Sequence, residues 1–163
     1  MKEDHMEFNK ITSNPMLVGS IELLKADPSQ EHKNLFVSEM MKARFMSPVM
    51  ITPEPTADEN GEKKPAPGSK VQLPVLSAPD GKQFFMAFTD KMEFEKFRKD
   101  EDAPFVALSA EEYAAMLLRK DCPVMGFIIN PGSGNMVVPK EMLGAIIAAK
   151  IAKMKEDQEN LIK

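Results

Sequence analysis

Between Lys82 and Leu143 the chain alternates short apolar runs with cap and turn signals, and this alternation sets what the chain can fold into. Gln83 to Thr89 is the most apolar run up to that point and reads as a central strand. Val124 to Asn130 is continuously apolar and reads as a strand buried on both faces. Met136-Val137-Val138 is a third strand, reached through Pro131-Gly132-Ser133-Gly134-Asn135, whose glycines suit a tight hairpin turn. Asp90 with Glu93 has capping-box spacing and opens a helix to about Lys99; Ser109 with Glu112 is a full capping box and opens another. That second helix carries Tyr113, Met116 and Leu117 on one face. Pro104 to Leu108 is a short strand or extended link between them.

The flanking segments complete the order. Residues 1 to 12 read as a frayed lead-in. Ser13-Asn14-Pro15 joins a capping side chain to Pro at the first helical position, and the helix runs to about Ala26 with Leu17, Ile21 and Leu24 on one face. Asp27-Pro28 repeats the device and starts a second helix. Its stripe takes in Leu35, Phe36, Met40, Met41, Ala43 and Phe45, and Ser47-Pro48 stops it. The pair forms an αα-hairpin. Val49 to Thr52 is a short strand. Residues 54–69, charged and rich in Pro and Gly, form a flexible loop. Val71 to Leu76 is a strand whose Pro74 places it at an edge or a bulge, and Ala78-Pro79-Asp80-Gly81 turns it back onto Gln83 to Thr89. After Pro139 a long last helix sets Leu143, Ile147, Ile151 and Met154 in one stripe. It becomes polar beyond Lys155, and the tail 155–163, with Leu161 and Ile162, is expected to fray.

The 163 residues are 43% hydrophobic and 28% charged, which fits one domain with a sizeable core over 1–163. The predicted class is α+β: a mostly antiparallel or mixed sheet of about five to six strands, an N-terminal αα-hairpin and a long C-terminal helix. A net charge of −4 lacks the basic footprint of a nucleic-acid binder and disfavours a membrane surface. No apolar run reaches membrane-spanning length, and the charged Met1-Lys2-Glu3-Asp4 start is unlike a signal peptide. With one cysteine, Cys122, no internal disulfide can form, and a cytoplasmic location is expected. The 14 methionines suit either an adaptable core or a Met-lined peptide groove.

Several of these pieces resemble the N-terminal domain of the SseB family. They are Asn14-Pro15-Met16-Leu17, Phe36 through Ala43 leading into Ser47-Pro48-Val49, Phe88-Thr89-Asp90-Lys91-Met92-Glu93-Phe94, Leu108 through Tyr113, and Gly126 through Pro131 followed by Val138-Pro139. The resemblance covers roughly residues 12 to 150. It implies a bacterial domain without an assigned biochemical activity, and it carries no catalytic motif onto these positions. Some members of the family carry a second, C-terminal domain.

Chemistry is sparse. Asn130, Gly132, Ser133, Gly134 and Asn135 form a candidate ligand site, since successive N–H groups of a Gly-rich turn can cradle an anion. The turn lacks the Gly-Lys-Ser/Thr ending of a phosphate loop and leads into a strand. Cys122 sits beside Asp121, which blunts a thiol, and no His is near it in sequence, although His32 could approach it in space. Asp90, Glu93, Glu111 and Glu112 stand at helix starts, where capping accounts for them. Ile151, Met154, Leu161 and Ile162 form a candidate partner surface. The sequence therefore predicts no catalytic residues, no metal and no cofactor. It predicts a non-enzymatic module for an unknown protein partner or for self-association through the last helix. The alternatives are a small-molecule or peptide binder at the turn and, less favoured, an enzyme whose cleft gathers His32, Cys122 or a carboxylate pair.

Overall fold

The computed structural model describes residues 7–53, 59–61, 67–98 and 103–162. It has the α+β class, with an N-terminal helical pair, a long last helix and mixed sheets. The pair is α1 (Pro15–Ala26) and α2 (Gln30–Lys42). The strands are β1 (Glu7–Phe8), β2 (Arg44–Pro48), β3 (Met50–Thr52), β4 (Lys70–Gln72), β5 (Val75–Ser77), β6 (Gln83–Ala87), β7 (Phe105–Ser109), β8 (Gly126–Ile129) and β9 (Met136–Pro139). Between β6 and β7 lies α3 (Lys91–Phe97), between β7 and β8 lies α4 (Ala110–Leu117), and α5 (Lys140–Ile162) closes the order.

The strands fall into three sheets: β5-β6-β8-β9, β1-β7-β2 and the ribbon β3-β4. Every pairing is antiparallel except β6 with β8. That parallel pair needs a crossover, and α3, β7 and α4 supply it. The two larger sheets meet where β6 ends: the Met46 N–H donates to Phe88 O (2.8 Å) and the Phe88 N–H donates to Met46 O (2.9 Å).

Two apolar clusters follow from this join. In the larger, Phe45, Tyr113 and Phe127 are fully buried, Tyr113 stacking on Phe127 at 4.7 Å and Phe45 meeting both edge-on. In the smaller, Phe94 packs against Phe88 at 5.3 Å and Phe105 at 5.0 Å, with Met46 and Met86 filling in. The methionines divide by burial. Met40, Met46 and Met86 are buried, whereas Met16, Met50, Met92 and Met154 are exposed.

Elsewhere the structure departs from the sequence pattern for local reasons. The lead-in is partly ordered, because β1 adds to β7 and the Asn9 N–H reaches Phe105 O at 2.7 Å. The second helix is capped by Ser29, whose Oγ accepts the His32 N–H at 3.2 Å. Asp27, expected as that cap, is instead the C-cap of α1, its N–H closing that helix on Leu23 O. That helix ends at Lys42 rather than at Ser47-Pro48; Phe45, Met46 and Ser47 are buried in succession, which a strand between two layers permits. The run Val71 to Leu76 is two strands, not one. It breaks at Leu73-Pro74: β4, before the break, pairs with β3, and β5, after it, forms the sheet edge beside β6. These differences raise the strand number from the expected five or six to nine among the described residues. Most of loop 54–69 lies outside those residues. Among the described residues no helix is long and apolar enough to cross a membrane.

Gly126 fixes the β8–β9 approach: a Cβ there would stand 2.2 Å from the backbone oxygen of Val138. Gly126→Ala must therefore push the strands apart, and we expect a loss of about 3 kcal/mol in urea denaturation, or failure to fold. A second expectation concerns pH. Burial pushes the ionisation of Tyr113 well above its ordinary value near 10, and its hydroxyl donates to Met86 O at 2.8 Å. The unfolded chain releases this proton first, so stability is intact below about pH 10 and falls as pH rises beyond it. Tyr113→Phe should cost about 1 kcal/mol at neutral pH and make that alkaline decline shallower in pH-dependent thermal melts.

Candidate functional site

The carboxyl ends of the parallel strands β6 and β8 lie side by side, the place where open α/β sheets bind ligands. Here the space is filled by side chains of the protein itself. Asn130 is buried with φ +53°, a left-handed conformation that Asn tolerates better than most residues. Its Oδ1 accepts the Thr89 N–H at 3.0 Å, and its Nδ2 donates to Thr89 Oγ1 at 3.0 Å. Thr89 Oγ1 donates in turn to Asp90 Oδ2 at 2.9 Å, while Asp90 Oδ1 caps α3 by accepting the Glu93 N–H at 3.0 Å. From the other side Asn14 Nδ2 donates to Thr89 O and to Arg44 O, both at 2.8 Å. Asn14 therefore ties α1, β2 and the end of β6 together.

The Gly-rich turn is bonded to itself. Asn130 O accepts the N–H groups of Ser133 and Asn135, both at 3.0 Å, and Asn135 Oδ1 accepts the Gly132 N–H at 2.8 Å. These donors point into the turn and are not free to cradle an anion. Lys25, at the end of α1, donates its ammonium to Gly134 O and lays α1 across the turn.

Beside Asn14, Ser13, Pro15, Met16 and Leu17 face Glu39, Lys42 and Ala43 across an open depression of about 210 Å³. It sits at the start of α1, which has no side-chain cap and no acidic residue in its first turn. The Lys42 ammonium stands 3.6 Å from Glu39. Sequence reasoning reads Asn14 as a cap and misses this bridge, because the partners of Asn14 are 30 and 75 residues away.

The remaining chemistry-bearing side chains are each occupied locally. His32 Nδ1 lies 2.6 Å from Asp27 O, in the link between α1 and α2. Cys122 Sγ turns to Val124 O at 3.9 Å, ahead of β8. Glu93 pairs with Lys96 at 3.1 Å and Glu111 with Lys150 at 2.6 Å. Glu112 closes the capping box of α4 and binds Arg44 at 3.0 Å. Among the described residues no three of His, Cys, Asp and Glu gather as a metal would require.

The candidate partner surface lies apart from the turn, on α5. Leu143 is fully buried and Ile146 and Ile147 are half-buried against the core. From Ala148 to Leu161 every residue is exposed, with Ile151 at 48%, Met154 at 53% and Leu161 at 85%. One stripe thus begins in the core and continues past the edge of the domain. The side chain of Ile162 lies outside the described residues.

The model of the SseB protein N-terminal domain family matches residues 17–145, and the chain belongs to that family. The match takes in nearly all of the helical pair, every strand from β2 to β9 and the anchored start of α5. No curated protein and no solved structure matches the chain.

Asn130→Ala strips a buried partner from the Thr89 N–H and places Ala at positive φ, so a loss of about 2–4 kcal/mol is expected. Ser133→Ala, at an exposed position of the same turn, should stay within about 0.5 kcal/mol. Urea denaturation of the two variants checks both values.

Proposed function

We propose that this SseB N-terminal domain is a non-enzymatic module that works through protein–protein contact, with the outer half of α5 as its contact surface. The observation that carries this reading is the uncovered stretch Ala148–Leu161, where Ile151 and Met154 continue the stripe that Leu143 buries. Apolar residues at this spacing suit a partner that lays its own apolar face along the helix. Anchorage of the first turns in the core holds the outer half ready-formed, which lowers the ordering cost of binding.

The engaged side chains of the sheet ends support the same reading. Asn130, Thr89, Asp90 and Asn14 satisfy one another, and the N–H groups of Gly132, Ser133 and Asn135 are bonded inward. A small-molecule or peptide site at Asn130–Asn135 would first have to break these bonds.

A photo-crosslinking residue placed at Met154 or Leu161 tests the contact surface in cells. Protein adducts should form from both positions and be far weaker from Val137 and Met50, exposed apolar sites on other elements. Ile151→Asp should reduce the adducts at least about tenfold, the effect of losing roughly 1.4 kcal/mol at an interface. Equal yields from all four positions, or none from α5, would remove the surface from consideration.

A further inference from the structure

The exposed half of α5 carries its charges in an order that says what lies against it. Lys150, Lys153 and Lys155 come first, then Glu156, Asp157 and Glu159. This order opposes the helix dipole, which favours cations near the carboxyl end, and the last turn of α5 has no basic residue. It also sets lysine before acid in the spaced pairs Lys153–Asp157 and Lys155–Glu159, the weaker of the two orientations. The helix gains little for itself from these positions.

A second copy running in the opposite direction gains a great deal. At about 100° per residue, Lys150 and Asp157 flank the Ile151–Met154 stripe on one side and Lys155 and Glu159 flank it on the other. In an antiparallel helix pair each flank meets the same flank of the partner, reversed. In the register centred between Lys153 and Met154, Lys150 then faces Asp157 of the other copy, and Asp157 faces the other copy's Lys150. In a parallel pair the flank of Lys150 meets the flank of Lys155, and like charges collide. Lys150 also holds Glu111 of its own chain at 2.6 Å, yet its side chain stays 53% exposed and has room for a second acid.

We propose that the outer half of α5 docks antiparallel on the same segment of a second copy of this chain, with Lys150 of each opposite Asp157 of the other. This rests on the contact role proposed for α5 and names its occupant. The exposed half is about 21 Å long, four turns of helix, and Ile151, Met154 and Leu161 supply the apolar seam between the charged flanks.

Light scattering on the purified full chain, up to roughly 200 µM, should show a dimer with a micromolar Kd, as suits a short helix pair. Changing Lys150, Lys153 and Lys155 together to Glu should give a monomer, as should changing Glu156, Asp157 and Glu159 together to Lys. An equimolar mixture of the two variants should restore the dimer mass. If circular dichroism shows that either variant has lost helix, Ile151→Asp takes its place and should be monomeric. Direction is read in a Cys122→Ser background. Chains with Ala148→Cys mixed with chains carrying Glu159→Cys should give the mixed disulfide in preference to either self-linked product. A wild-type monomer throughout the range overturns self-pairing, while in-cell adducts to a different protein would leave the contact role itself standing. A mixed disulfide no more abundant than the self-linked products overturns the antiparallel arrangement.

Discussion

The two backbone hydrogen bonds between Met46 and Phe88 are the constraint on which the rest of the architecture depends. They join the end of β6 to the middle of β2, and so join a mixed four-stranded sheet to an antiparallel three-stranded one. Both apolar clusters have members on each side of this join. Phe45 and Met46 are neighbours in sequence but point into different clusters, as successive residues of a strand must. The crossover from β6 to β8 passes through β7 in the other sheet, which makes the two sheets one folding problem.

How much of this was legible in the sequence depends on where each element finds its partners. Ser109 with Glu112, and Asp90 with Glu93, signal their helices correctly because both halves of each cap lie within four residues. The Pro79–Gly81 and Pro131–Gly134 hairpins are legible for the same reason. The strand β2 is not, because Phe45 falls close enough to the spacing of Phe36 and Met40 to extend a helical stripe. The two-residue strand β1 has no pattern of its own and exists through the register of β7. The Gly-rich turn shows the same limit for chemistry. Its composition suggests an open anion cradle, while the bonding of Asn130 and Asn135 directs the donors inward. The outer helix was legible, since an apolar stripe longer than the domain it covers is a property of the sequence alone.

The domain therefore divides its work by region. The ends of the parallel strands are closed by amide and hydroxyl side chains that satisfy one another. The uncommitted surface is displaced onto a helix that leaves the body after Ile147. Its apolar residues Ile151, Met154 and Leu161 are exposed there.

Asn14 has a consequence for how the chain assembles. A capping side chain stabilises its helix locally, before any tertiary structure exists. Asn14 spends its amide on Arg44 and Thr89 instead, partners 30 and 75 residues distant. The start of α1 thus gains from Asn14 only after two distant stretches of chain have been brought together, and the loop-closure entropy of doing so must be met first. The bond turns a local element into a sensor of completion: α1 is held firmly at its start only in molecules whose sheets have already joined.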